Sequence, residues 1–177
     1  GGTLGLMLDT REATLKEFRT RVRPHGLDPM LNGWGIEIPS SLIFDPQSDQ
    51  IRLSSQRGMF QMINVINYPY FPLIIDLDRA HPITKNVSNV AMPFVSPIKV
   101  NELKAGITAT ELARTSDGSY TDPLADNVSP IYKKERHASA NPGPFPIMLL
   151  WEGQFGESEA KGRALIFTTS RFVRKDY

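Results

Sequence analysis

The stretch "TLGLMLD", residues 3–9, decides the fold class that the sequence predicts. It is almost continuously apolar and ends in Asp9. A short apolar run of this kind is typical of a strand in the middle of a sheet, with both faces buried. Such strands occur mainly in α/β domains, where helices cover a mostly parallel sheet.

The residues after this strand predict two helices. In "TREATLKEFRTRVRPHG" (10–26), Leu15, Phe18 and Val22 lie three or four positions apart, which places them on one face of a helix. The next segment, "DPMLNGWGIEI" (28–38), begins with Asp-Pro, a common helix start, and predicts a short helix.

The following segments complete the predicted domain. "SSLIFDP" (40–46) predicts a second short strand, and the order strand, helix, short helix, strand is typical of an α/β unit with a parallel strand pair. "FPIMLLWEG" (145–153) and "GRALIFTTS" (162–170) predict a final antiparallel pair. We therefore predict one α/β domain over 1–177, with a mostly parallel sheet flanked by helices and an antiparallel C-terminal portion.

The middle of the chain is less regular. Period-two stretches over 51–66 favour a hairpin or edge ribbon, and "FPLIID" (71–76) predicts a further strand. Residues 90–100 read as extended, with prolines that confine them to an edge. Residues 106–120 alternate and then reach a Ser-Asp-Gly turn. Residues 121–145 predict a long loop that we expect to be mobile.

Composition excludes several classes of function. Lys and Arg number 20 against 19 Asp and Glu, so the chain lacks the strong positive charge that nucleic-acid binding requires. The absence of cysteine excludes disulfides, thiol nucleophiles and thiolate zinc sites. No apolar run approaches the roughly 20 residues of a membrane-spanning helix.

The stretch "NYPYFPLIIDLDRAHPITKN" (67–86) is the most distinctive. Its prolines at 69 and 72 fix the backbone around Tyr70 and Phe71 and force extended geometry on the residues before them. The aromatic side chains therefore point in defined directions. Two interpretations remain open: a rigid corner whose aromatic rings cover a sheet edge, or an exposed aromatic platform for a partner or a sugar.

Several segments together carry a family resemblance. They are, in order, "YPYFPLI", "HPITKNV", "PFVSPIKV" and "GITATELARTSDGSY", with "GGTLGLMLD" and "LNGWGIEIPSSLIFDP" before them and "IMLLWEGQF" and "GRALIFTTSRFV" after them. In this order and spacing the chain resembles the auxiliary, substrate-binding-like component of gliding-motility ABC transporters (GldG-type proteins). The resemblance covers nearly the whole chain except about 121–142.

The resemblance implies a fold, a location and partners. The family's domain is similar to a glutamine-amidotransferase-like α/β fold and lies on the periplasmic face of the bacterial inner membrane. It implies a non-enzymatic recognition domain that works with the permease and ATPase subunits, and with an exported ligand or polysaccharide. Because the family carries the first part of the sheet before the position of Gly1, we expect this chain to be a segment of a longer protein. Membrane attachment would then use segments outside it.

The candidate partner-binding residues lie in the aromatic, proline-rich stretch or in the motifs that carry the family resemblance. They are Tyr68, Tyr70, Phe71, His81 and Ser116. No cofactor is predicted. The pair Asp76 and Asp78 near His81 is compatible with a hard cation, but a solvated strand end explains it more simply, so no metal site is predicted.

Two alternatives stay open. A serine hydrolase would use Ser116 or Ser170 with His81 and an acid such as Asp9, although the sequence lacks the G-x-S-x-G turn. A carbohydrate-binding module would use Tyr68, Tyr70 and Trp151, and would require their rings to form one exposed face.

Overall fold

The structure is a computed structural model that describes residues 2–57, 60–131, 135–154 and 161–173. Strands make up 47% of it and helical residues 6%. The predicted helix-flanked, glutamine-amidotransferase-like α/β fold is therefore wrong, and the chain is mostly β. Within these residues one α-helix is present, together with a short 3-10 turn at Arg171–Val173.

The elements follow one another along the chain as strands, with the helix after the third. They are β1 (Thr3–Met7), β2 (Arg11–Thr14), β3 (Arg19–Val22), α1 (Asp28–Gly33), β4 (Ile36–Glu37), β5 (Leu42–Phe44), β6 (Ser48–Arg57), β7 (Phe60–Ile74), β8 (Asp76–Leu77), β9 (Val90–Ala91), β10 (Lys99–Val100), β11 (Thr108–Arg114), β12 (Tyr120–Asp122), β13 (Pro146–Gln154) and β14 (Lys161–Phe167).

The largest sheet has the order β1-β14-β13-β11-β8. Among the described strands, β1 and β14 form the one parallel pair, so the prediction of a mostly parallel sheet is wrong. The strand β1 also lies at the edge instead of the centre, with Leu4 and Met7 more than 40% exposed. The antiparallel pair predicted for the C-terminal part is present as β13 and β14; its connection, 155–160, lies outside the described residues.

The centre of the sheet is buried on both faces, because the side chains of β13 contribute to two core clusters. Leu149 and Trp151 pack with α1 and β4 on one face, and Met148 and Leu150 pack with β8 and the segment around Met92 on the other. Trp151 is fully buried, and its ring stacks on Trp34 with centroids 4.6 Å apart. This strand is the centre of the core.

The predicted helix at 10–26 is wrong, since these residues form the β2–β3 hairpin. Phe18 adopts a positive φ of 50°, which ends any helical path and closes the turn. Ala13 pairs with Thr20, and both are buried. The three-residue spacing of Leu15 and Phe18 comes from the turn, which packs both side chains on the core. The short helix predicted within 28–38 is confirmed as α1.

The strands β6 and β7 form the ribbon predicted over 51–66. We call residues 61–67 the outer half of β7 and residues 68–74 the inner half. The outer half is largely exposed, and Ile63 is 64% accessible. The inner half is largely buried, and at Leu73 and Ile74 it pairs with β9.

The segment 121–145, predicted as a long loop, is partly held to the body of the domain. β12 pairs with β5, and Ala125 and Val128 are buried in the third core cluster with Tyr68 and Tyr70. Its residues 132–134 lie outside the described part, and its mobility stays a prediction. In the described ranges, no helix has both the length and the apolar character needed to cross a membrane.

Candidate functional site

A cavity of about 580 Å³ lies at the base of the ribbon, where the outer half of β7 meets the inner half. Tyr68 and Tyr70 form its floor, and Pro69 lies between them on the wall. The two rings are nearly inaccessible to water, so the open surface comes from their neighbours. Leu124, which is 59% exposed, lies on this open surface together with the exposed Asn67 and Glu135.

The tyrosine hydroxyls bond this floor to the last residue of β12 and to the segment after it. Tyr68 donates to the backbone oxygen of Val128 at 2.8 Å, and Tyr70 donates to the Asp122 carboxylate at 2.5 Å. Burial raises the pKa of Tyr70 well above its usual range, and the bond to Asp122 raises it further. The phenol is therefore held protonated, and the floor is anchored at two points.

The rings also brace one another. The Tyr68 centroid lies 5.0 Å from Phe71 and 5.8 Å from Tyr70, and Phe71 lies 5.3 Å from Phe94. Edge-to-face contacts of this kind add stabilisation beyond the area that they bury. The proline-rich stretch thus forms a rigid corner with its rings inside, not an exposed platform.

The side of the cavity near β12 carries charge and a further aromatic pair. Phe44 stacks on Tyr120 at 4.8 Å, and the Arg136 guanidinium lies 5.1 Å from the Tyr120 ring centroid. Partial burial, followed by the negative charge of Asp122, raises the pKa of Tyr120. Glu135 lines the cavity. The wall is thus mainly apolar and aromatic, with the Glu135 carboxylate and the Arg136 guanidinium close by.

Ser116 lies outside this cavity, on a buried aspartate. Its hydroxyl donates to Asp45 at 2.5 Å, and its backbone N–H donates to the other carboxylate oxygen at 2.9 Å. Asp45 also accepts from the backbone N–H of Gln47, and its own N–H donates to the Pro69 oxygen. Asp45 therefore joins the end of β5 to the end of β11 and to the rigid corner.

Ser170 is held in the same manner after β14, whose end lies at the same edge of the large sheet as the end of β11. Its hydroxyl donates to Asp9 at 2.5 Å, and its N–H donates to the second oxygen of that carboxylate at 2.9 Å. The buried Arg171 guanidinium lies 3.7 Å from Asp9. Both serines are thus structural clamps at strand ends, which is a common use of hydroxyls there.

His81 lies in the turn at 81–86, apart from both serines. Its Nδ1 accepts from the Ile83 N–H at 3.3 Å, and its oxygen accepts from Thr84 and Lys85. In the described structure no hydrogen bond joins His81 to Ser116 or Ser170, so the arrangement that a serine hydrolase needs is not formed.

The other considered sites also lack the necessary geometry. Within the part of the chain that is described, no group of three or more His, Asp or Glu side chains is placed to hold a metal. Asp78 instead accepts the Ala80 N–H in a local turn. Trp151 is buried in a different cluster from Tyr68 and Tyr70, so these rings form no shared exposed face for a sugar.

Of the five predicted binding residues, the structure brings Tyr68 and Tyr70 to the cavity and places Phe71 behind them. His81 and Ser116 lie elsewhere, and any part of theirs in binding stays a prediction. Sequence reasoning missed the buried carboxylates of Asp45 and Asp122. Their one local signal was that each precedes a proline at the end of a short apolar or aromatic segment.

Comparison with protein families matches residues 1–177 to the family described as an ABC-type uncharacterized transport system. The chain belongs to this family. A search of curated proteins and a search of solved structures gave no match. Membership of the ABC transport auxiliary family confirms the resemblance to an ABC transporter auxiliary component, and it supports a transport-associated role without catalysis.

Proposed function

We propose that this ABC transport auxiliary domain is a non-enzymatic recognition domain that binds a partner or exported ligand at the cavity over Tyr68 and Tyr70. In this proposal it belongs to the gliding-motility type, lies on the periplasmic side, and works with the permease and ATPase subunits. The observation that carries the proposal is the cavity itself: a mainly apolar recess whose floor is held rigid by two anchored tyrosines.

Rigidity favours binding because a preformed site loses little conformational freedom when it is occupied. Pro69 restricts the backbone between the tyrosines, and the hydroxyl bonds hold both rings. The aromatic contacts behind them prevent the floor from collapsing. Apolar recesses with a few placed polar groups are the usual form of ligand sites.

The chemistry of the wall indicates what would bind. Leu124 and Phe44 offer apolar contact, while the Asn67 side chain and the Glu135 carboxylate supply polar contacts at the rim. This combination suits an apolar side chain of a protein partner or of an exported ligand that also carries a hydrogen-bond donor. Catalysis is not part of the proposal, because both candidate serines are bonded to aspartates.

The test is recovery of the transporter subunits by the tagged full-length protein from solubilised membranes. We expect the permease and the ATPase to be recovered with the native chain. Leu124→Asp, which places a charge on the open wall, should reduce recovery at least about tenfold if the wall contacts an apolar group. Val100→Asp is the matched control, since Val100 is exposed but lies outside the cavity.

Failure of the native protein to recover either subunit would contradict the transport partnership. Equal losses for Leu124→Asp and Val100→Asp would contradict the cavity as the contact site while leaving the partnership in place. Circular dichroism of both variants verifies that each substitution leaves the fold unchanged.

A further inference from the structure

The outer half of β7 has an open backbone edge. Between residues 61 and 67 it pairs with β6 on one side, and no strand of the described structure pairs with it on the other. In the inner half that second edge is occupied, since Met92 donates to the Pro72 oxygen and Phe94 to the Tyr70 oxygen. The open edge is therefore the outward continuation of an edge that is paired in the body of the domain.

This edge lacks the usual protection against pairing. Exposed edge strands in stable proteins carry charges, prolines or bulges that discourage the approach of another strand. Residues 61–67, "QMINVIN", contain no charged residue and no proline. The residues from 61 to 65 are all exposed, including Met62, Ile63 and Val65. An unprotected neutral edge with apolar side chains on both faces is expected to be covered in the working protein.

The residue order on this edge favours pairing with a second copy of the same chain. Read in either direction, "QMINVIN" has the pattern amide, apolar, apolar, amide, apolar, apolar, amide. If two copies pair antiparallel about Asn64, then Ile63 faces Val65, Met62 faces Ile66, and Gln61 faces Asn67. Every apolar side chain meets an apolar one and every amide meets an amide, as a two-fold symmetric contact requires.

We propose that two copies of this chain associate through antiparallel pairing of the outer halves of β7, with Asn64 on the two-fold axis. The pairing joins two ribbons into a four-stranded sheet with the order β6-β7-β7-β6. Because the strands run in opposite directions, the inner half of β7 in one copy lies at the opposite end of the paired segment from the inner half of β7 in the other. The pairing stabilises each ribbon, because an isolated two-stranded ribbon is only marginally stable and a sheet of more strands is more stable.

The first experiment places like charges on the axis. The association state of the full chain is measured by light scattering and sedimentation over a range of concentrations. We expect a dimer for the native chain, and dissociation constants raised at least about tenfold for Asn64→Lys and for Asn64→Glu, since like charges would face each other. Mixing the two variants in equal amounts should restore the dimer, because opposite charges then meet.

Arg52→Glu is the matched control. Arg52 is exposed and lies on β6, the strand away from the proposed contact, and reversing its charge should leave the dimer unchanged. A native chain that is monomeric at all concentrations would overturn the proposal. So would a dimer unaffected by Asn64→Lys, or a mixture of the two charged variants that stays monomeric.

The second experiment tests the register. The chain has no cysteine, so single cysteines report only on the positions where they are placed. On mild oxidation, Asn64→Cys should form a covalent dimer at least about tenfold faster than Ile63→Cys. In this register position 64 of one copy faces position 64 of the other. Position 63 faces position 65, so the two residues 63 of a dimer lie too far apart for a disulfide. Equal rates, or a faster rate at position 63, would overturn this register.

Discussion

The strand β13 and the outer half of β7 have similar sequences but opposite surroundings. "IMLLW" in β13 and "MINVI" in β7 are both uncharged and rich in large apolar residues. In β13, Leu149 and Trp151 are fully buried, and in β7, Ile63 and Val65 are more than half exposed. The difference teaches that the local residue pattern predicted both segments as strands, while the packing around them decided which became core and which became surface.

The reason for the difference is what covers each strand. β13 lies between two paired strands, and its two faces are covered by α1 with β4 and by the segment around Met92. The outer half of β7 has one paired neighbour among the described strands and no covering layer. The substitutions below test this contrast, beginning with the largest expected effect.

Trp151→Ala should destabilise the domain most. It removes the stacking on Trp34 and the bond from the indole N–H to the Trp34 oxygen, and it leaves a large cavity between the sheet and α1. We expect the free energy of unfolding, measured by urea denaturation, to fall by about 3–5 kcal/mol. A loss below about 1 kcal/mol would show that this face of β13 is not a packed core.

Asp45→Ala tests the clamp that holds the inner part of the molecule together. The substitution leaves the Ser116 hydroxyl, the Ser116 N–H and the Gln47 N–H without their acceptor in a partly buried place. We expect a loss of about 3 kcal/mol in the free energy of unfolding. Asp45→Asn, which retains the shape and one oxygen acceptor, should cost less; an equal cost would contradict the role assigned to these bonds.

Tyr70→Phe tests how strongly the Tyr70 hydroxyl bond stabilises the inner half of β7. It removes the donor to the buried Asp122 carboxylate, so we expect a loss of about 1–3 kcal/mol by urea denaturation. Tyr68→Phe is the matched control, because its hydroxyl donates to a neutral backbone oxygen and should cost about 1 kcal/mol. A larger effect at Tyr68 than at Tyr70 would reverse this assignment.

The bond between Tyr70 and Asp122 predicts that the stability of the domain depends on pH. The pKa of Tyr70 is raised in the folded state, mainly by burial, whereas an unfolded tyrosine titrates near 10.0. The stabilisation from the protonated phenol is therefore present below about pH 10 and is lost as the pH rises above it, because the unfolded state alone can release the proton. Between pH 9 and pH 11.5 the native chain should lose stability more steeply than Tyr70→Phe; parallel curves would contradict this.

Val65→Thr should have the smallest effect. Val65 is 54% exposed, and threonine retains the β-branched shape that strands favour. At concentrations where the chain is monomeric, we expect a change below about 0.5 kcal/mol in the free energy of unfolding. A loss comparable to that of Trp151→Ala would show that a covering layer packs on the outer ribbon within one copy.

Much of the local structure was determined by the sequence alone. The ribbon over 51–66, the helix within 28–38 and the antiparallel C-terminal pair all follow from residue periodicity and from glycine and proline positions. These features depend on neighbours in the chain, which a sequence displays directly. The family resemblance likewise rests on the order of short motifs and held at the level of an ABC transporter auxiliary component.

The arrangement of these elements was decided only by the tertiary structure. The spacing of Leu15 and Phe18 suits a helix, yet the buried pair Ala13 and Thr20 and the positive φ of Phe18 made a hairpin. The run at 3–9 suits a central strand, yet β1 lies at an edge. Strand neighbours, buried carboxylates and the cavity over Tyr68 and Tyr70 depend on contacts between residues far apart in the chain, and local patterns carry no information about those contacts.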